Sequence, residues 1–311
     1  MQKQRGPECA AQGMTMRFTK MQGAGNDFVM LDATRRSFDL TPERVRALCD
    51  RRYGIGCDQL LVVEKSDLPG VDFKYRIFNC SGGEVEMCGN GARCFAVFVR
   101  ELGLTDKDAI ACETMRGVIR PRIEKDGTVT VDMGKPKFAP ADVGLADKGL
   151  ETKTEGSAEL YRIEAAGSEH WVSIVSMGNP HAVRLVENVD TELVAALGGA
   201  LQQTPLFAHQ VNVGFLQVVN RKEVKLRVYE RGAGETLACG TGACAAVVSG
   251  IRRGLLDGDV LVHMRGGDLR VRWDGTDENG EAARVYLSGA AVSVFTGEID
   301  PEAIVLPEAD F

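Results

Sequence analysis

The chain has 311 residues, 44% of them hydrophobic and 26% charged, with a formal net charge of −7, the proportions of an ordinary globular protein long enough for two domains. That acidic balance argues against nucleic acid and anionic membrane surfaces as partners. No run of eighteen apolar residues and no apolar leader with a cleavage site is present, so the expected location is the cytoplasm.

Residues 1–15 are polar and aperiodic and read as a disordered extension. A strand is expected from Arg17 to Met21, then a turn through Gly23-Ala24-Gly25-Asn26-Asp27 and a second strand from Phe28 to Leu31. Thr41-Pro42-Glu43 supplies a cap and a first-turn proline, which starts a helix with Val45 and Leu48 on its apolar side. The loop Tyr53 to Gln59 is glycine-punctuated but lacks the third glycine and the lysine of a phosphate cradle, so it reads as a connection into the strand Leu60 to Val63. After Arg76-Ile77-Phe78-Asn79, the turn Met87-Cys88-Gly89-Asn90-Gly91-Ala92 feeds the run Arg93 to Val99. A run that is apolar on nearly every side predicts a helix buried all round.

Short strands are expected at 109–113, 118–123 and 128–133, and the polar stretch 139–159 reads as a separator or an early loop of the second half. Strands near Tyr161 to Ala165 and Trp171 to Ser176, a helix from Asp190 to Leu201, and strands around Val213, Val224 and Arg227 to Glu230 follow. The turn Ala238-Cys239-Gly240-Thr241-Gly242-Ala243 then feeds a second buried helix, Cys244 to Val248, before strands at 260–264, 269–273, 285–288 and 291–295. The last of these is assigned to the first half, giving halves of 16–132 plus 290–311 and 133–289.

The two Cys-Gly-x-Gly-Ala turns are the strongest feature. Nine residues before each cysteine lies a strand ending in a polar residue, Asn79 or Glu230. Gly25-Asn26-Asp27-Phe28 and Gly178-Asn179-Pro180-His181 precede them by about the same distance, and Gln59 and Asn212 each enter an apolar strand. The chain is therefore duplicated, with a site expected where the halves meet. A thiol at a helix N-terminus is expected to have its pKa lowered, and the glycines let a carboxylate approach the unpaired N–H groups. Two such thiols facing each other suit a two-base racemase or epimerase: one thiolate removes the proton at a carbon and the opposite thiol returns one to the other face. Asn26, Gln59, Asn79, Asn179, Asn212, Glu230 and Arg231 would hold a zwitterionic substrate. Glu230 and His181 would tune the thiols.

Nine cysteines, an odd number without Cys-x-x-Cys spacing, accompany four histidines and point to free thiols and no metal site. Cys49, Cys57, Cys94, Cys112 and Cys244 read as small core residues. No lysine sits in a phosphate-binding loop of the kind a pyridoxal enzyme needs, so no cofactor is expected.

With Gly-Ala-Gly-Asn-Asp-Phe at 23–28, Gly-Cys-Asp-Gln at 56–59, Glu-Met-Cys-Gly-Asn-Gly-Ala-Arg at 86–93, Met-Gly-Asn-Pro-His at 177–181 and Glu-Arg-Gly-Ala-Gly-Glu-Thr-Leu-Ala-Cys-Gly-Thr-Gly at 230–242, the sequence resembles the diaminopimelate epimerases. The resemblance implies an α/β (α+β) fold of two pseudo-symmetric domains, each a curved, mostly antiparallel sheet or barrel around a central buried helix. It implies epimerisation of LL- to meso-diaminopimelate in lysine and peptidoglycan precursor supply, without a cofactor and as a homodimer. It assigns Cys88 and Cys239 as the acid/base pair and Asn26, Gln59, Asn79, Asn179, Asn212, Glu230 and Arg231 as substrate-binding. Gly89, Asn90, Gly240 and Thr241 become carboxylate-binding, and His181 and Glu230 pKa-modulating.

Cys80-Ser81 stands where the family pattern has Ala-Asp, which is expected to loosen the turn holding Asn79, and Phe295 takes the place of a tyrosine associated with the homodimer. Three other readings stay open: a proline-racemase-like enzyme, a hydrolase or acyltransferase using one cysteine with His181, and a non-catalytic binding or redox-sensing relative; a Cys88–Cys239 disulfide formed under oxidation is expected to inactivate the epimerase.

Overall fold

A computed structural model describes residues 15–85, 88–304 and 306; all but one residue of the segment read as a disordered extension, and most of the tail from 305 onward, lie outside them. In chain order the elements are β1 (Met16–Gly23), β2 (Asn26–Asp32), α1 (Pro42–Cys49), β3 (Gln59–Glu64), β4 (Phe73–Asn79), β5 (Glu84–Val85), α2 (Gly89–Glu101), β6 (Cys112–Thr114), β7 (Gly117–Ile119), β8 (Arg122–Ile123) and β9 (Val129–Gly134). They continue with α3 (Pro140–Val143), β10 (Thr152–Glu155), β11 (Ala158–Ala165), β12 (Ser168–Ser176), β13 (Pro180–Leu185), α4 (Val194–Gln202), β14 (Asn212–Asn220), β15 (Glu223–Glu230), β16 (Gly234–Thr236), α5 (Gly240–Arg252), β17 (Asp259–Met264), β18 (Gly267–Arg272), β19 (Val285–Gly289) and β20 (Val292–Ile299).

Among the described residues the strands form two sheets. The first runs β20-β1-β2-β3-β4-β6-β7 with β5 beside β4, and the second runs β10-β11-β12-β13-β14-β15-β17-β18-β19-β9-β8 with β16 beside β15. The duplication is visible in the pairing. In both sheets an antiparallel pair (β1/β2, β12/β13) is followed by a parallel step (β2/β3, β13/β14), another antiparallel pair (β3/β4, β14/β15) and a second parallel step (β4/β6, β15/β17). Register repeats too: Phe28 pairs with Gln59 in one sheet and His181 with Asn212 in the other. Residues 122–134 pair within the second sheet, so the division read at 132/133 falls inside β9, whereas β20 pairs with β1 in the first.

Each parallel step needs a crossover, and α2 and α5 supply two of them. Both are buried on nearly every side, Gly89–Ala96 with Phe98 and Val99 in one and Gly242–Gly250 in the other, which is why their sequences lack a polar stripe. One apolar core runs through both helices and the inner faces of both sheets. Phe95 stacks between Phe73 and Tyr75, with centroids 6.0 and 5.6 Å away, and truncating such a side chain costs about 3–5 kcal/mol. The outer faces are covered by α1 on the first sheet and by α3 and α4 on the second. Thr41 caps α1 through the Arg44 N–H at 3.3 Å. Cys49, Cys57, Cys94, Cys112 and Cys244 are buried free thiols, and no described helix is long and apolar enough to cross a membrane.

Two expectations are revised. The helix read from Asp190 begins at Val194, because the Asn188 side chain takes the Asp190 N–H at 2.9 Å and holds a turn there. The polar stretch 139–159 contains α3, begun by Pro140 and closed back by Asp142 onto the Ala139 N–H at 3.2 Å, and the edge strand β10. In the turn that carries Cys80-Ser81, Asn79 N–H donates to Gly83 O and Gly82 N–H to Asn79 O, both at 2.9 Å, with Gly82 at φ +96°.

Candidate active site

The residues singled out in the sequence sit on the rims of the two sheets nearest the N-termini of α2 and α5. Asn26 and Gln59 begin β2 and β3, and Asn79 ends β4. Asn179 precedes β13, His181 lies on it, Asn212 begins β14, and Glu230 ends β15 just before Arg231. Cys88 and Cys239 are the N-caps of α2 and α5, both in extended conformation, so that each sulfur lies over the first helical turn.

The first intrahelical bonds run from Ala92 N to Cys88 O and from Ala243 N to Cys239 O. The three N–H groups ahead of each, at residues 89–91 and 240–242, have no backbone partner within the helix; Gly91 turns to the Cys88 sulfur, and the others can receive an anion. Glycine makes the approach possible. A Cβ on Gly240 would lie 3.0 Å from Leu287 Cδ2 and 3.6 Å from the Asn90 side-chain oxygen, and one on Gly89 would lie 3.4 Å from the same Leu287 atom. Leu287 and Asn90 therefore bring the two helix ends close together. That Asn90 oxygen is buried and has no hydrogen-bond partner among the described residues.

Around Cys88, Gly91 N–H reaches the sulfur at 3.5 Å, the thiol donates to Asn26 Oδ1 at 3.6 Å, and Asn90 Nδ2 donates to the same oxygen at 3.2 Å. Asn26 is fixed from behind by Asp58, which accepts from its Nδ2 at 2.9 Å, and Gln59 donates to Asn79 Oδ1 at 2.8 Å. Around Cys239 the partners differ. The thiol donates to Glu230 Oε2 at 2.9 Å, Thr236 Oγ1 donates to Glu230 Oε1 at 2.5 Å, and Thr241 Oγ1 lies 3.6 Å from the sulfur.

His181 touches neither sulfur. Its Nε2 donates to Asn179 Oδ1 at 3.1 Å, and Asn179 Nδ2 donates to Thr241 Oγ1 at 3.1 Å, so it reaches Cys239 through two intermediates. Asn212 accepts from the Arg231 N–H at 2.9 Å and donates to Pro180 O at 3.1 Å. The Arg231 guanidinium is exposed and turned to His209 O.

The electrostatics correct one expectation. Burial pushes the Cys88 thiol up by more than the Gly91 and Asn90 N–H groups and the Arg93 cation bring it down. Burial raises Cys239 well above the usual thiol range, and the Glu230 carboxylate adds to it. The helix N-terminus lowers neither thiol below its ordinary value, because desolvation outweighs it. The two differ in degree: helix donors act on both and Glu230 disfavours both thiolates, but Arg93 acts on Cys88 and the Glu230 carboxylate bonds Cys239 directly. Burial, with Arg231 nearby, lowers His181 to about 3, so its ring is neutral.

Sequence reasoning missed Thr236 and Asp58, which aim Glu230 and Asn26, although each stands within a quoted motif. It also missed Arg116, whose Nη2 donates to Gly178 O at 3.2 Å across the two halves. A surface hollow of about 540 Å³ lined by Thr34, Lys65, Asp72 and Thr105 lies at the opposite ends of β2 and β3 and is no part of this site.

The family model described as diaminopimelate epimerase matches residues 18–139 and 173–294. The chain is 56% identical over 287 residues to the diaminopimelate epimerase of Paraburkholderia xenovorans, covering 92% of this chain and 99% of that one. It is 54% identical over 291 residues to that of Cupriavidus taiwanensis, covering 94% and 99%. Among solved structures, a hydroxyproline epimerase from Agrobacterium vitis superposes with a TM-score of 0.65 at 14% identity, covering 93% of each chain. A phenazine biosynthesis protein of the PhzF family from Bacillus anthracis gives 0.64 at 18%, covering 92% and 99%. These two share the fold. By the family match and the identity over nearly its whole length, this chain belongs to the diaminopimelate epimerase family.

Proposed function

We propose that the protein interconverts LL- and meso-diaminopimelate by two-base proton transfer between Cys88 and Cys239, in the supply of lysine and peptidoglycan precursors. The observation that carries this reading is the pair of cysteine-capped helix N-termini brought together by Leu287 and Asn90, with Glu230 bonded directly to only one of the two thiols, Cys239.

Cys88 is less buried than Cys239 and its pKa is raised less far, so in this reading it is the thiol that ionises first. Its thiolate takes the α-proton from one face, forming S–H as the C–H bond breaks. The electron pair moves toward the substrate carboxylate, where the unpaired N–H groups of both helices meet the growing charge. Cys239, kept as a thiol by burial and Glu230, gives its proton to the opposite face and inverts the centre. Thr236 holds Glu230 in place, and His181 acts through Asn179 and Thr241. Asn26, Gln59, Asn79, Asn179, Asn212, Glu230 and Arg231 bind the substrate's ammonium and carboxylate groups, with Gly89-Asn90 and Gly240-Thr241 on the α-carboxylate. None of these steps calls on a cofactor.

The two sheets with their central helices correspond to the two halves of the site. A homodimer in the cytoplasm completes the proposal, with the edge strand β20 as its contact: Val292, Val294 and Phe295 are exposed along it, and open apolar edges tend to be covered. The test of function is chiral chromatography of LL-diaminopimelate incubated with reduced protein, beside L-proline and trans-4-hydroxy-L-proline. Formation of the meso isomer with both imino acids unchanged is expected, and turnover of an imino acid alone would overturn the substrate assignment.

A further inference from the structure

Arg93 lies on α2, five residues after Cys88, and is completely buried. Its Nε donates to Ala290 O at 3.4 Å, and neither Nη1 nor Nη2 has a hydrogen-bond partner among the described residues. Two glycines make the space for it. A Cβ on Gly23 would lie 3.1 Å from Nη2, and one on Gly289 would lie 3.3 Å from Nε.

A guanidinium cannot shed its proton within a protein. A buried, unpaired cation is among the most unfavourable features a fold can keep, and it is commonly replaceable by an apolar side chain of similar size without loss of stability. Its presence in the core points to a negative charge that belongs beside it. The titratable groups around it are Cys88 and Cys94 on its own helix and Cys244 from α5. Cys94 and Cys244 are wholly enclosed in the apolar core and reach no polar side chain that could take their protons, whereas Cys88 is only partly buried and opens onto the site beside Asn26. The groups facing Cys88 in turn are the Gly91 and Asn90 N–H groups of α2, Asn26 from β2, Tyr75 from β4, which burial keeps neutral, and Glu230 from β15, whose carboxylate disfavours the thiolate. Among these groups Arg93 is the only full positive charge, and it acts against Glu230.

We propose that Arg93 is a positioning residue for the proton transfer: its buried cation is the counter-charge of the Cys88 thiolate and of the negative charge that develops on the substrate beside it. The inference rests on the reading of Cys88 as the base. It makes the asymmetry of the two thiols a property of the fold: a carboxylate is assigned to Cys239, and a cation that cannot titrate to Cys88.

The experiment compares Arg93→Met, which removes the charge while keeping an unbranched apolar chain, with Arg93→Lys, which keeps the charge. The pH dependence of alkylation at Cys88 is followed by peptide mass spectrometry, beside kcat and KM against pH and the thermal midpoint. Arg93→Met is expected to keep or raise the midpoint, to lower the Cys88 thiolate population at pH 7.5 about tenfold, and to lose kcat with recovery at higher pH while KM changes little. Arg93→Lys is expected to follow the parent profile. A folded Arg93→Met with the parent's Cys88 alkylation profile, or an Arg93→Lys as displaced as Arg93→Met, would overturn the proposal. Should the methionine variant not fold, Arg93→Gln carries the same comparison. Alkylation needs no turnover, so a Cys88→Ala protein that still epimerised would remove the base assignment and leave the Arg93 coupling measurable.

Discussion

Replacing Glu230 with glutamine keeps the shape of the side chain and removes its charge. In the structure the carboxylate accepts from the Cys239 thiol at 2.9 Å and from Thr236 at 2.5 Å, in a site where Cys239 is 5% exposed. A hydrogen bond to a charged group is worth roughly 1.5–3 kcal/mol net, so its loss should raise the Cys239 thiolate population about ten- to hundredfold at a given pH below the thiol's titration. Cys88 also feels Glu230 and should become more reactive by a smaller factor. The assay is the rate of alkylation at each cysteine from pH 6 to 10, read by peptide mass spectrometry. Turnover should fall in the same protein, because Glu230 also belongs to the proposed substrate-binding set. Slower alkylation of Cys239 in Glu230→Gln, or no change, would refute the idea that this carboxylate keeps Cys239 protonated.

Three further outcomes follow from the same geometry. Gly240→Ala gains about 1 kcal/mol of helix propensity and meets the tip of Leu287 at 3.0 Å and, in ordinary contact, the Asn90 oxygen at 3.6 Å, so urea unfolding should show little loss of stability. Its methyl group covers the unpaired N–H groups, and turnover should drop roughly a hundredfold or more. Asp58→Ala frees Asn26 from its 2.9 Å bond, and kcat/KM should fall by up to roughly a hundredfold from misplacement alone, while circular dichroism stays that of the parent. For His181, whose pKa burial lowers from 6.5 to about 3, the unfolded chain binds the extra proton over that window. Stability from this group is therefore complete above pH 6.5 and is lost as pH falls toward 3. The loss is about 2 kcal/mol by pH 5, and His181→Gln should abolish that share of the difference between urea unfolding at pH 7 and at pH 5.

Much of this was legible in the chain because duplication puts the same instruction on the page twice. The Cys-Gly-x-Gly-Ala turns read as caps of two buried helices because an all-apolar run after a glycine turn has few other folded states, and α2 and α5 begin as expected. Pairing Gln59 with Asn212 and Phe28 with His181 across the halves anticipated the repeated register of the sheets. What was not legible depends on long-range environment. The sign of each thiol's shift is a contest between helix donors and desolvation, and desolvation is decided by packing the sequence does not display. Thr236 and Asp58 act on other side chains, and a threonine in Gly-Glu-Thr carries no local mark of the carboxylate it will hold. Arg93 looked like the ordinary end of a motif; only its burial and its unpartnered nitrogens separate it from a surface arginine. Asn188 shortened α4 by a side-chain bond that competes with the helix, a local effect that apolar periodicity cannot register.

The central claim is that two thiols on opposite faces move one proton each. Reduced protein incubated with LL-diaminopimelate in D₂O, beside Cys88→Ala and Cys239→Ala, tests it by chiral chromatography and proton NMR. The account predicts meso product carrying solvent deuterium at the inverted carbon, and loss of its formation in both variants. Inversion that survives in either variant, or an inverted carbon that retains its original proton, would contradict it.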